Sequence, residues 1–332
     1  KSKEYDFLRT DKNLGDNIII LTLGGSHAYG TNNEGSDLDI RGCALNSKMQ
    51  ILTNENFEQF VNNETDTTIY AFNKLVALLS NTNPNTIEML GNKPEHYFYV
   101  SPIGEELIDN AHLFLSKRAC HSFGGYANQQ LYRLNQKAAH QMSQSELEKH
   151  ILKTLEFMQT DFTKKYTPYS DDSMKLYIDK AVQEGYDTEI FMDVNLTHYP
   201  LRDYCSMWNE LQNTVRQYGK IGKRNEKAIE HGKIAKHSMH LIRLYMMCLD
   251  ILEKERIITY REDEHDLLMD IRNGKYLDSN DQPIPEFFEM VNDYEKRLDY
   301  AKKNTNLPDN PNYKAINEFV ASVNERVVKG EI

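Results

Sequence analysis

A chain of 332 residues can bury a sizeable core, and its length favours two domains over one. With 39 basic against 50 acidic residues and a net charge of −11, it is excluded as an indiscriminate polyanion binder, so a nucleic-acid substrate would need a locally basic surface. Cys43, Cys120, Cys205 and Cys248 are scattered without a Cys-x-x-Cys pair, no apolar stretch reaches membrane-spanning length, and no leader pattern opens the sequence; a soluble protein of the reducing cytoplasm is expected, without a disulfide framework, zinc site or membrane span.

After a polar, charged arm or short helix over residues 1–16, the run Asn17-Ile18-Ile19-Ile20-Leu21-Thr22-Leu23 is apolar and β-branched, which predicts a buried strand. Gly24 and Gly25 break it. A Gly-Gly-Ser step from a strand into a short helix brings bare backbone N–H groups close to an anion, with the Ser26 hydroxyl as a further donor. Past a turn at Asn32-Asn33-Glu34-Gly35, the segment Asp37-Leu38-Asp39-Ile40 alternates acid and apolar. Strand periodicity places both carboxylates on one face and Leu38 and Ile40 on the other. Two carboxylates that close repel each other unless a divalent cation lies between them. Anion donors beside such a pair are the parts of a phosphoryl- or nucleotidyl-transfer site. Either signal alone is weak, because paired glycines often only turn a chain and alternating acids often line a solvated edge strand. Together, in strand–turn–helix–strand order, they favour chemistry. Arg41 shares the parity of the two acids and reads as their salt-bridge partner in preference to a nucleotide contact. His27 reads as an exposed helix residue and Tyr29 as packing.

Residues 57–61 and 65–70 read as two further strands around the turn Asn62-Asn63-Glu64. The period then becomes helical. Phe72, Leu75, Val76, Leu78 and Leu79 form an apolar stripe that stops near Asn83-Pro84, and a second helix runs over residues 85–90 with Gly91 as its C-cap. Asn83, Pro84 and Glu88 read as packing and capping. Residues 96–100 form a short aromatic strand or loop, and Ser101-Pro102 carries an N-cap signature. Beyond it the pattern predicts helices over 105–115, 119–142, 143–162, 176–182, 201–218, 225–254, 265–271, 287–303 and 313–329. The expected fold class is α+β, with a mixed-sheet domain over residues 1–110 followed by a mainly helical domain over 111–332. One helical segment reverses the acidic balance. Arg216, Lys220, Lys223, Arg224, Lys227, Lys233, Lys236 and Arg243 stand there against Glu226 and Glu230. Lys236, His240 and Arg243 recur at i, i+4 and i+7 and so share a face. Opposite the carboxylates, that face would hold a triphosphate or an acidic acceptor; the alternative is a solvated helix face with His237 or His240 in the core.

The stretch Gly25-Ser26-His27-Ala28-Tyr29-Gly30-Thr31 through Ser36-Asp37-Leu38-Asp39-Ile40-Arg41-Gly42 resembles the nucleotidyltransferase signature of the DNA polymerase β superfamily. In particular it is similar to a largely uncharacterised branch of nucleotidyltransferases from bacteria and large phages. The likeness continues through residues 83–90, Phe123-Gly124-Gly125-Tyr126-Ala127, residues 236–244 and residues 267–274, and so covers most of the chain. Arg272 lies in the last of these motifs, its role open against a helix C-terminal interaction.

The resemblance implies an N-terminal nucleotidyltransferase domain that moves a nucleoside monophosphate from an NTP, ATP first, to an acceptor hydroxyl. Asp37 and Asp39 would hold Mg²⁺ (or Mn²⁺). A third acid from the following strand, Asp66 with Glu64 as fallback, would complete the metal site or take the acceptor's proton; Asp66 as a helix cap is the structural alternative. Gly25 and Ser26 would hold the terminal phosphates, and Lys236, His240 and Arg243 would close on the nucleotide. The implied acceptor is an RNA 3′ end such as that of a tRNA, a protein hydroxyl or a small molecule. A second class of function is a helical ribonuclease with a vestigial nucleotide-binding part, carried by the spacing of Arg224 and His231.

Overall fold

The β-branched run expected near the N-terminus is the organising strand of the structure, a computed structural model that describes residues 3–127, 134, 144–166, 169–180, 182, 188–219, 233–279 and 283–332. Strand β1 (Ile18–Leu23) pairs antiparallel with β2 (Ile40–Ala44) on one side and with β5 (Tyr97–Val100) on the other. Strand β2 runs parallel to β4 (Thr67–Ala71), which forms an antiparallel hairpin with β3 (Gln59–Asn62). The result is a mixed five-stranded sheet in the order β3-β4-β2-β1-β5. Helices α1 (Phe7–Thr10), α2 (Gly25–Tyr29), α3 (Lys48–Leu52), α4 (Phe72–Ser80), α5 (Pro84–Ile87) and α6 (Pro102–Asp109) fill the connections. Their starts follow local chemistry. Ser47 and Gln50 make a reciprocal capping box on α3, and Ser101 accepts from the Gly104 N–H with Pro102 in the first turn of α6.

The remaining described chain is mainly helical, with α7 (Gln144–Lys165), α8 (Leu201–Gly219), α9 (Lys233–Lys254), α10 (His265–Arg272), α11 (Pro285–Asn304) and α12 (Tyr313–Lys329). The chain is therefore α+β. The predicted helix over 176–182 is instead a strand: β6 (Met174–Lys180) pairs antiparallel with β7 (Thr188–Val194). A short apolar run is ambiguous between the two periods, and here pairing with the Ile190–Met192 stretch satisfies its backbone. Of the predicted helix over 119–142, residues 119–127 and 134 are described and are helical, the helix starting at 118.

Contacts divide the chain into two units. The first comprises Lys1–Leu131, Ala235–Leu277 and Pro283–Ile332; the second comprises Tyr132–Ile234 and Asp278–Gln282. The sequence boundary near residue 110 falls inside the first unit, because α9 shares its core. Ile19, Ile20, Leu75, Leu79 and Leu107 pack in one cluster with Leu244, Met247, Leu249 and Ile251 of α9, and with Ile316 and Val323 of α12. A smaller cluster of Ile18, Ala44, Phe57, Ile69 and Ala71 forms separately in the same unit. The second unit has its own core of Phe162, Tyr169, Met174, Met207 and Leu211. Among the described residues no helix is long and apolar enough to cross a membrane.

Candidate active site

At the end of β1 the Gly24 N–H donates to the Asp39 carbonyl at 2.9 Å, one step beyond the Leu23–Ile40 pair, so the ladder reaches past the formal start of β2. Gly25 then turns left-handed at φ 58°. A Cβ at Gly25 would lie 1.9 Å from Asp39 Oδ2. Only glycine both adopts that dihedral at little cost and lets the Asp39 carboxylate rest against the backbone.

The loop from α2 to Asp37 is pinned in place. The Thr31 N–H donates to the Ser26 carbonyl at 2.9 Å. Arg272, at the end of α10, donates to the Thr31 carbonyl at 2.5 Å and to Ser36 Oγ at 3.0 Å. His27 Nε2 lies 3.4 Å from the Ser36 carbonyl, and Ser36 Oγ donates to Asn33 Oδ1 at 2.8 Å. Arg272 thus holds the segment that delivers the two acids.

Parallel pairing of β2 with β4 sets Ile40 opposite Thr67, which places Asp39 and Asp66 beside each other at neighbouring strand starts. Asp66 caps no helix. It sits left-handed at φ 43°, a strained conformation for a residue with a side chain, and its carbonyl accepts from the Ile40 N–H and from Arg41. Arg41 also pairs with Asp39 at 3.2 Å, the salt-bridge role preferred for it. Burial raises the Asp39 pKa from its ordinary value; Arg41 and Lys236 oppose that shift and Asp66 adds to it.

Helix α9 brings the cations. Lys236, His240 and Arg243 lie on the face expected of them, but Arg243 is buried, at 5 % exposure. Its guanidinium stacks 3.6 Å above the Tyr29 ring, and Nη1 lies 3.4 Å from Glu88 Oε2. Tyr29 Oη donates to the same carboxylate oxygen at 2.5 Å. Burial pushes up the pKa values of both Glu88 and Tyr29, with Arg243 pulling each down. His240 is held well below the ordinary histidine range, first by burial and then by Arg243, Lys236, His237 and Arg272. It is a neutral imidazole among cations.

One cavity of about 360 Å³ collects these groups. Gly25, Ser26, Asp37, Asp39, Asp66, Lys236, His240 and Arg243 all line it, joined by Tyr29, Ser36, Asn85, Tyr126, Leu244 and Arg272; Glu64 is not among them. All of these residues belong to the first unit. Among the described residues no three His, Cys, Asp or Glu side chains form a ready metal cage. The donor set nevertheless fits Mg²⁺, a hard cation commonly held by one or two carboxylates with substrate phosphates supplying further oxygens. Of the basic run, Lys220, Lys223, Arg224 and Lys227 lie outside the described residues, as do His231 and the side chains of Arg216 and Lys233.

The buried Tyr29–Glu88–Arg243 contact and the grip of Arg272 on the loop were not read from the sequence. One signal for the first was present: Glu88 is a lone acid inside Thr86-Ile87-Glu88-Met89-Leu90, and a charge amid a buried run needs a partner.

A family model described as the RNA repair pathway DNA polymerase beta family matches residues 2–322. No curated protein and no solved structure matches the chain.

Proposed function

Because the chain belongs to the RNA repair pathway DNA polymerase beta family, we propose that it transfers a nucleoside monophosphate from an NTP, ATP first, to the 3′ hydroxyl of an RNA such as a tRNA. The observation that carries this reading is the meeting of Asp37, Asp39 and Asp66 with Lys236, Arg243 and Arg272 in one cleft beside Gly25 and Ser26. Carboxylates alone would repel a triphosphate, and cations alone would hold it without activating it.

In this reading Ser26 and the Gly25 backbone bind the terminal phosphates, and Lys236 and Arg243 balance their charge. The α-phosphate is then left open to in-line attack. The acceptor oxygen bonds to the α-phosphorus as the bridge to the β-phosphate breaks, pyrophosphate leaves, and Asp66 takes the hydroxyl proton. Asp37 and Asp39 would hold Mg²⁺ (or Mn²⁺), which when bound neutralises phosphate charge and lowers the pKa of the attacking hydroxyl. His240, neutral, adds no repulsion to the cation cluster and is free to accept a hydrogen bond. The family's description supports RNA as the acceptor.

Incubation with each labelled NTP, Mg²⁺, cellular RNA and cellular protein tests the proposal. Label entering RNA with release of pyrophosphate is the expected result. Label confined to protein or small molecules overturns the RNA acceptor, and no label from any NTP overturns the transfer.

A further inference from the structure

Glu88 takes no part in the transfer just described, yet it is among the most deeply placed charges near the cleft, at 5 % exposure. A carboxylate at that depth is costly unless it is paired, and its two partners lead straight to the site. Tyr29 Oη donates to it at 2.5 Å, and Arg243 Nη1 approaches at 3.4 Å. Its backbone is fixed as well, the carbonyl accepting from Thr259 Oγ1 at 2.7 Å. Arg243 in turn is held by the Tyr29 ring at 3.6 Å and by Met247 Sδ at 3.0 Å, while its buried Nε has no hydrogen-bond partner. The side chain lines the cleft. Its only carboxylate partner among the described residues is Glu88, and the ring beneath it is tethered by the same carboxylate.

We propose that Glu88 is a positioning residue, which fixes Arg243 directly and through Tyr29 so that the guanidinium is already set as a phosphate-facing cation when the nucleotide enters. This rests on the reading of the cleft as an NTP site. A free arginine must give up rotamer freedom when it grips an anion; one already held from behind gives up less, and the saving appears as affinity.

The test is equilibrium binding of each of the four NTPs, with Mg²⁺ present, to the parent, Glu88→Ala, Glu88→Gln, Tyr29→Phe, Arg243→Lys and the Glu88→Ala/Arg243→Lys double variant, with melting curves for all. For the tightest NTP, Glu88→Ala is expected to weaken binding about tenfold, whereas Glu88→Gln, which still accepts from both partners, stays within about threefold of the parent. In the Arg243→Lys background Glu88→Ala is expected to change affinity by less than about twofold, because the group it acts through is gone. A merely structural Glu88 would show its full effect in both backgrounds, and that result overturns the proposal. Should Glu88→Ala not fold, Tyr29→Phe carries the same comparison by removing only the hydroxyl. Folded variants that bind as the parent does overturn the positioning role alone. A parent that binds none of the four NTPs overturns the nucleotide reading, and this inference with it.

Discussion

Two residues in the cleft carry opposite protonation demands, and each makes a measurable prediction. Burial raises the pKa of Asp39, so the folded protein binds its proton more tightly than the unfolded chain does. Ionisation of Asp39 therefore works against folding near neutral pH, and that penalty vanishes below about pH 4, where the unfolded aspartate is protonated too. Asp39→Asn should melt no lower than the parent at neutral pH, with any advantage shrinking as the pH falls, and should lose transfer by on the order of 10²-fold or more. Melting curves across pH and labelled-NTP transfer check the two halves; undiminished transfer would remove Asp39 from the chemistry. His240 behaves in the opposite sense. Its pKa is depressed, first by burial and then by the surrounding cations, so its share of stability is present above the unfolded value of about 6.5 and lost as the pH falls below it. His240→Gln should consequently lose less melting temperature than the parent between about pH 7.5 and about pH 5. The acids and the Gly-Ser step were legible because they form one short local motif; strand parity does not place Asp37, since β2 begins only at Ile40 and Leu38 is exposed where Ile40 is buried. The Glu88–Arg243 pair was not, because its members stand 155 positions apart and only tertiary packing joins them.

Among the elements, α6 shows how closely the sheet is covered. A Cβ on Gly104 would meet the Ile19 carbonyl oxygen at 2.2 Å and the Ile20 and Val100 side chains at 3.0 Å. Two effects compete in Gly104→Ala. Alanine favours the helix by about 1 kcal/mol, and forcing a methyl onto a strand backbone costs about 1–3 kcal/mol. The obstructing atom is a strand carbonyl that cannot swing aside, so overpacking should win. Denaturant unfolding should show a net destabilisation of about 1–2 kcal/mol. A neutral variant would mean that α6 can slide off β1. The sheet was readable in advance because β1, β3 and β4 carry β-branched residues bounded by turn signals. The β6–β7 hairpin was not, since Leu176 to Ile178 is too short for its period to choose between helix and strand, and the pairing that decides it lies in a separate stretch.

At the scale of the whole molecule, the first unit is discontinuous in sequence, and the basic run around residues 220–227 lies outside the described residues. That run is the chief local excess of positive charge in a chain of net charge −11. If it guides an RNA acceptor, reversing Lys223 and Arg224 to glutamate should weaken RNA binding and flatten its salt dependence, by about 0.7 in the log–log slope for each single-strand phosphate that is no longer neutralised. NTP affinity should stay unchanged. Binding with an unaltered slope would rule out Lys223 and Arg224 as RNA contacts. The discontinuity also has a consequence for how the protein comes to be. The carboxylates of the cleft end at Asp66, and the first of its α9 cations, Lys236, stands 170 positions later. At ribosomal speeds of about 5–20 residues per second, the acids wait on the order of 10–30 s for the cations. During that interval the emerging chain holds the carboxylates with Arg41 beside them, but none of the cations that line the cleft. If the cleft takes a nucleotide as proposed, a copy that still lacks α9 has neither Lys236 nor Arg243 and is expected to bind it weakly.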